Sequence, residues 1–234
     1  MNTLLSEYLK KKGFTVQELF NFNAVICDGD KLVTGQEEPW LEDIVCEATN
    51  EYPANKAIDI VRGKMARYRR EGCEAAIFMP LFRLEGEFTG FSIRKMDPVN
   101  KHDSWFIPGS RKVDLLYNLN RAFEHAVKKN SLILTEGVYD TIALCNHGFP
   151  NAVALLGTNL SNLQYFQILS TVEHVALCLD NDPAGNAAMD KIIKTYPHEL
   201  KFYKVDIDKD PDEFLKEHSA AEFKQRIKKV EIVK

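Results

Sequence analysis

Two groups of carboxylates stand where short apolar runs of the chain end. Glu136 and Asp140 follow one such run, and Asp180 and Asp182 follow another. A short apolar run that gives way to a helical pattern predicts a buried strand followed by a helix. Ligands of α/β sheets bind at that edge, so these acids are expected to face a binding cleft.

Grouped carboxylates are unfavourable unless a cation neutralises them, because each raises the pKa of its neighbours. Ligands made only of oxygen favour Mg²⁺ or Mn²⁺. We therefore interpret Glu136, Asp180 and Asp182 as catalytic residues and metal ligands. For Glu136, the alternative to a metal ligand is an acid or base near the nucleotide. Two-metal phosphoryl transfer needs such a cluster. Taken singly, each motif could also be a solvated turn.

Three neighbouring residues are expected to orient the ligand. Asp140 stands one helical turn after Glu136 and is suited to a hydrogen bond or a bridging water. Gly137 and Gly185 would let the backbone approach a phosphate or a metal closely. Gly185 could equally be a simple helix-start residue.

The chain from residue 131 onward alternates between short apolar runs and amphipathic segments. This alternation predicts βαβ units and an α/β fold with a mainly parallel four-stranded sheet flanked by helices. The predicted strands are 132–135, 152–156, 174–179 and 201–205. The predicted helices are 138–147, 162–170, 184–196, 211–217 and 221–229.

The pattern of the N-terminal part is different and predicts an α+β subdomain. Helices are expected at 4–12, 16–22 and 57–70, and a hairpin with strands 75–83 and 87–94. Residues 28–59 show no regular pattern. We therefore expect two domains, a basic N-terminal subdomain over 1–128 and a catalytic domain over 129–234.

The composition is that of an ordinary soluble globular protein, with 234 residues, 45% hydrophobic and 27% charged. No apolar stretch is long enough for a membrane span, and the N-terminus lacks the pattern of a signal peptide. A cytoplasmic location without membrane association is expected. The five cysteines contain no Cys-x-x-Cys pair, which argues against disulfides and zinc.

The net charge of −4 is unevenly distributed along the chain. Residues 62–129 contain 14 basic and 8 acidic residues, a local net charge of +6. Arg67, Arg69 and Arg70 belong to a basic run on one predicted helix. Such a run is suited to the backbone of a template strand, and a solvated helix face is the alternative.

Several motifs, in order along the chain, resemble known families. The acids at strand ends resemble a Toprim domain. Together with 6–22, 77–82, 90–94, 112–119 and the Lys-Asp-Pro-Asp-Glu element at 209–213, they resemble the RNA polymerase core of bacterial and phage DnaG-type primases. The resemblance covers nearly the whole chain.

The resemblance implies template-directed synthesis of short RNA primers from NTPs on single-stranded DNA. It adds Asp210 and Asp212 to the metal ligands, and Arg94 and Lys112 to the residues that bind nucleotide or template. The sequence shows no match to the family's zinc-binding module or helicase-binding domain, which resembles a minimal core of the kind a phage encodes. If it is phage-encoded, the chain is expected to act in the host cytoplasm. A replicative helicase or a separate zinc-binding module in trans would then be a partner.

Two other function classes stay open at this point. Toprim nucleases use similar carboxylates to cut phosphodiesters, and a non-catalytic replisome or nucleic-acid adaptor could have kept the fold. The basic residues and the 209–213 element favour the primase over the nuclease. The intact acidic set argues against the adaptor, because unused like charges are destabilising.

Overall fold

The structure, a computed structural model, describes residues 3–35, 45–46, 55–96, 102–196 and 200–230. The chain forms two compact units, one of Met1–Leu81 with Phe88–Ser110 and one of Phe82–Glu87 with Arg111–Lys234. Residues 111–128 thus lie in the second unit, and the structural boundary precedes the one expected from the sequence. The functional division at residue 128 stays a prediction.

The first unit combines helices with an antiparallel sheet. Its helices are α1 (Thr3–Lys12), α2 (Val16–Phe20) and α3 (Ala57–Arg70). Its strands are β1 (Val25–Asp28), β2 (Lys31–Val33), β3 (Val45–Cys46), β4 (Asn55–Lys56), β5 (Ala75–Phe82), β6 (Phe88–Lys95) and β7 (His102–Phe106). Five of the strands form one sheet in the order β2-β1-β5-β6-β7, and β3 pairs with β4.

Local signals explain much of the first unit. Thr15 caps α2 through a capping box, in which Glu18 N–H donates to Thr15 Oγ1 and Thr15 N–H donates to Glu18 Oε2. The buried rings of Phe78, Phe88 and Phe91 then pack edge to face in the core. The predicted helices and the β5–β6 hairpin are confirmed, with small shifts at their ends.

The expectation that residues 28–59 are irregular is wrong for the short strands that lie there. β1 begins at Val25 and pairs antiparallel with both β2 and β5. A strand of four residues shows little periodicity, and its partner β5 lies about fifty residues further along the chain. Residues 36–44 and 47–54 lie outside the described ranges.

The second unit contains the mainly parallel sheet. After a 3₁₀ turn at Lys112–Asp114 it consists of α4 (Leu119–Lys129), β8 (Ser131–Thr135), α5 (Val138–Asn146), β9 (Ala152–Ala154), α6 (Asn162–Leu169), β10 (His174–Cys178), α7 (Pro183–Thr195), β11 (Lys201–Val205), α8 (Pro211–Glu217), α9 (Ala220–Gln225) and β12 (Ile227–Lys229). The strand order is β12-β11-β10-β8-β9. β9, β8, β10 and β11 run parallel, and β12 pairs antiparallel with β11.

One face of this sheet carries the larger core of the unit. Leu132 and Leu134 of β8 lie beside their register partners Val175 and Leu177 of β10, and all four are fully buried. Side chains two residues apart share a face of a strand. Ser131 and Ile133 therefore lie on the opposite face.

The α/β class and the mainly parallel sheet are confirmed, but the sheet has five strands and not four. The helix expected over 221–229 ends at Gln225, and Ile227–Lys229 forms β12. Lys228 and Lys229 favour a helix by local propensity. Pairing with β11 overrides that preference, and this pairing cannot be predicted from the local sequence.

No helix in the described ranges is both long enough and apolar enough to cross a membrane. Among the described cysteines, Cys27, Cys73, Cys145 and Cys178 are free thiols. Cys27, Cys73 and Cys178 are buried, which fits packing residues.

Candidate active site

The predicted acids lie at the carboxyl ends of the parallel strands. Glu136 directly follows β8, and Asp180 lies two residues beyond β10. β8 and β10 are neighbours in register, with Cys178 opposite Thr135. Glu136 and Asp180 therefore lie next to each other at the same edge of the sheet, as the sequence predicts.

Asp182 and Asp210 hold the loops beside these strand ends. Asp182 is the N-cap of α7, and its Oδ1 accepts a hydrogen bond of 2.7 Å from the backbone N–H of Gly185. Asp210 precedes α8, and its Oδ1 accepts a hydrogen bond of 3.1 Å from the backbone N–H of Asn181. The second bond ties the loop after β11 to the loop after β10.

Both predicted glycines lie where a Cβ atom would make a close contact, and neither has a positive φ. A Cβ atom at Gly185 would lie 2.1 Å from the carbonyl oxygen of Asp180. A Cβ atom at Gly137 would lie 2.9 Å from Asp140 Oδ2. The first contact is with backbone and the second is with the end of a side chain, so Gly185 is the more constrained of the two.

The charges of three neighbouring acids act on Glu136. The pKa of the half-buried Glu136 is raised from 4.5 to about 7, first by burial and then by the charges of Asp180, Asp182 and Asp210. Lys112 acts in the opposite direction and lowers this pKa. Like charges are therefore concentrated at this edge, with one nearby lysine that partly compensates them.

Asp140 and Asp212 are more deeply placed. Asp140 is 8% exposed on the first turn of α5, and its charge helps to raise the pKa of the buried Cys178 thiol, although burial is the larger cause. Asp212 is 1% exposed on α8, with Lys216 Nζ 4.0 Å from its Oδ2. The orienting role of Asp140 and the metal-ligand role of Asp212 stay predictions.

Two residues that contribute to this site, Gly157 and Asn181, were not predicted from the sequence. A Cβ atom at Gly157 would lie 3.2 Å from Lys112 Nζ, so the glycine leaves room for the lysine that acts on Glu136. Asn181 contributes through its backbone N–H to Asp210. Gly157 could have been identified as a turn residue after β9. Asn181 could not, because it acts through its backbone N–H, which every residue except proline has.

The donor set has the chemistry that a hard divalent cation needs, namely several carboxylate oxygens that repel one another. Within the described ranges, no three His, Cys, Asp or Glu side chains are already arranged to hold a metal ion. Mg²⁺ usually keeps several of its waters and binds through one or two carboxylates. Glu136, Asp180, Asp182 and Asp210 fit this open type of site better than a closed cage.

The predicted basic residues of the first unit lie on β6 and α3. The Arg94 guanidinium carbon is 5.6 Å from the ring centre of Tyr8. Arg67 donates a hydrogen bond of 2.9 Å to Glu71, Arg69 pairs with Asp30, and Arg70 is exposed. Exposed ion pairs of this kind contribute little free energy, so a phosphate could replace these partners.

Replacing Glu136 by glutamine should stabilise the metal-free protein at pH 8 but not at pH 4.5. The folded-state pKa of about 7 exceeds the ordinary 4.5, so the folded parent binds more protons between these values. Its free energy of unfolding therefore falls as the pH rises from 4.5 to 7. The gain of the variant should be about 1–2 kcal/mol after allowance for solvent screening. Urea unfolding in EDTA across this pH range measures it.

Glu124→Gln is the matched control, because Glu124 is exposed on α4. This variant should show no gain that grows with pH. An equal pH-dependent gain in both variants would mean that the acidic edge does not perturb Glu136.

Comparisons with known proteins agree with this fold. Residues 133–215 match the family described as Toprim-like. The DNA primase of Mycoplasma pneumoniae is 30% identical over 171 residues, which are 67% of this chain and 26% of the relative. That of Legionella pneumophila is 31% identical over 139 residues, which are 56% and 23%. The chain thus spans about a quarter of the length of these relatives.

Solved structures of primase domains share the fold of nearly the whole chain. The Aquifex aeolicus primase, with its zinc-binding and RNA polymerase domains, matches with a TM-score of 0.71 at 22% identity, over 98% of this chain and 57% of that one. A DnaG primase catalytic domain bound to single-stranded DNA matches with a TM-score of 0.68 at 19% identity, over 97% and 72%. The chain is therefore related to bacterial DNA primases, carries a Toprim-like domain and has the fold of the DnaG-type primase catalytic core.

Proposed function

We propose that this chain is the catalytic core of a DNA primase, which synthesises short RNA primers from NTPs on a single-stranded DNA template. The observation that carries the proposal is the convergence of Glu136, Asp180, Asp182 and Asp210 at the carboxyl edge of the Toprim sheet, with Lys112 beside them. The kinship with bacterial primases supports the same conclusion.

The residues of the second unit suit distinct parts of nucleotidyl transfer. Without a bound ion the pKa of Glu136 is about 7, which suits a group that accepts the proton of the attacking hydroxyl at neutral pH; a role as metal ligand is the alternative. Lys112 offers its ammonium group to the triphosphate. Asp182 and Asp210 keep the two loops in place through their bonds to backbone N–H groups.

Mg²⁺ or Mn²⁺ is the proposed cofactor, held by Glu136, Asp180 and Asp182, with Asp210 and Asp212 as further ligands. A bound divalent ion would neutralise the phosphate charge and favour ionisation of the attacking hydroxyl. Such an ion would relieve the repulsion between these carboxylates, which adds to the effect of burial in raising the pKa of Glu136.

The product formed from single-stranded DNA tests this function. The protein is incubated with an unlabelled template, labelled NTPs and Mg²⁺, and in parallel with a labelled template alone. In the first reaction we expect short labelled RNA that forms only when the template is present. In the second reaction we expect the labelled DNA strand to stay intact. Cleavage of the labelled strand would favour the Toprim nuclease, and neither product would favour the non-catalytic adaptor.

A related structure is bound to single-stranded DNA, which supports such a template here. The arginines of α3 should contact its phosphates. Replacing Arg67, Arg69 and Arg70 together by alanine should weaken binding similarly for every template sequence. If three phosphate contacts are lost, the slope of log affinity against log salt should fall by about 2. Fluorescence anisotropy with labelled oligonucleotides at several salt concentrations measures both quantities.

The matched control is the triple arginine-to-lysine variant, which keeps the three charges. It should retain most of the affinity and the salt dependence, because a lysine also neutralises a phosphate. An unchanged affinity and salt slope in the alanine variant would identify the arginines as a solvated face. A helicase and a zinc-binding module in trans stay predictions about partners.

A further inference from the structure

A cavity of about 470 Å³ opens at the end of the Toprim sheet opposite to the acidic site. It lies beside Ser131 and His174, the first residues of β8 and β10. The acidic site lies at the opposite, carboxyl ends of the same strands. The cavity is thus separate from the proposed active site, and its volume is within the range of small-molecule pockets, about 300–1,000 Å³.

The floor of this cavity is apolar and aromatic. Ile133 and Ala176 contribute from the sheet face that points away from the larger core. Phe149 lies at one side, buried against Phe223 with ring centres 4.9 Å apart. A flat apolar group of a ligand could pack on this floor, which would remove the face of the ligand and the floor from water.

Hydrogen-bonding groups line other parts of the cavity. His174 Nδ1 lies 3.0 Å from the hydroxyl oxygen of the half-buried Tyr203. Asn151 is 3% exposed and donates a hydrogen bond of 2.9 Å to the carbonyl oxygen of Ser131. A few fixed polar groups above an apolar floor are typical of a small-molecule site.

Two lysines give the cavity its charge. Lys129 ends α4 and donates a hydrogen bond of 3.1 Å to Asn151 Oδ1, and Lys224 of α9 lies 5.7 Å from the ring centre of Phe149. Burial lowers the pKa of Lys129, and the charge of Lys224 lowers it further. No aspartate or glutamate is among the described residues that line the cavity. A bound anion would therefore relieve the repulsion between Lys129 and Lys224, which no acid of the lining compensates.

We propose that this cavity binds a free nucleotide, with its phosphate monoester between Lys129 and Lys224 and its base on the floor of Ile133, Ala176 and Phe149. The two cations select the phosphate, because hydrogen bonds between charged partners are the strongest. The apolar floor selects a planar ring over an isolated phosphate. This makes the cavity a ligand site additional to the one at the acidic edge.

Calorimetric titration with AMP in EDTA tests the proposal on the full chain, because EDTA leaves the acidic site without metal. AMP should bind, and adenosine and inorganic phosphate should each bind at least about tenfold more weakly. The double variant Lys129→Gln/Lys224→Gln should lose at least about tenfold in AMP affinity. The variant Lys129→Arg/Lys224→Arg should keep it, because the charges remain.

Asp180→Asn separates this site from the proposed active site and should leave AMP binding unchanged. The proposal is overturned if AMP does not bind at about 10 mM, or if the double glutamine variant binds it as tightly as the parent does. It is also overturned if Asp180→Asn abolishes the binding. None of these three results depends on whether the chain synthesises RNA.

Discussion

Replacing Asp180 by asparagine is expected to abolish the RNA synthesis proposed for this chain. Asp180 lies beyond the end of β10, and its charge is the largest contribution of a neighbouring carboxylate to the raised pKa of Glu136. Removing one charged ligand from a phosphoryl-transfer site should lower nucleotide incorporation by roughly 10³-fold or more. The melting temperature of the metal-free variant should not fall, because one source of repulsion is removed. Primer synthesis and thermal unfolding measure the two effects.

Asp190→Asn is the control for this experiment. Asp190 is an exposed acid of α7 that pairs with Lys204 at 2.5 Å, and its loss should leave incorporation nearly unchanged. Near-normal synthesis by Asp180→Asn would remove Asp180 from the catalytic site. An equal loss in both variants would point to the overall charge of the domain.

Asp182 needs a more careful substitution than Asp180. Its side chain caps α7, so Asp182→Ala should also lose about 1 kcal/mol of folding free energy. Asp182→Asn keeps a capping side chain and is the better test of a metal ligand.

Gly185→Ala should inactivate the chain nearly as completely as Asp180→Asn. The new Cβ atom would lie 2.1 Å from the carbonyl oxygen of Asp180, so the backbone that carries this acid must move. Overpacking of this kind costs about 1–3 kcal/mol. The expected result is a loss of primer synthesis together with a lower unfolding free energy in urea.

Gly137→Ala provides a graded comparison. Its Cβ atom would meet only the end of the Asp140 side chain, at 2.9 Å, and a side chain can rotate away. Stability should therefore fall less than in Gly185→Ala. If Gly185→Ala were as active and stable as the parent, the close approach of α7 to Asp180 would not matter for the site.

Local patterns were sufficient to predict most of the second unit. The apolar runs that became β8 and β10 are short and bounded by turn residues, and the acids follow them directly. The capping box at Thr15 is likewise a local pattern that the structure confirms. Such features depend on residues within a few positions of one another.

The features that were missed depend on distant partners. β12 forms because Ile227–Lys229 pairs with β11, and β1 forms between β2 and β5. The space that Gly157 leaves for Lys112 joins residues more than forty positions apart. Spacing along a sequence carries no record of such contacts.

The thermal stability of the chain with and without Mg²⁺ at pH 7.5 tests the metal site most directly. If Mg²⁺ binds with a Kd of about 1 mM, then 10 mM should add roughly 1.4 kcal/mol to the unfolding free energy. The melting temperature of the parent should then rise by about 3–6 °C. Glu136→Gln and Asp180→Asn should show little of this rise, and choline chloride of equal ionic strength should not produce it in the parent. An equal rise in the parent and both variants would contradict a divalent-cation site formed by these carboxylates.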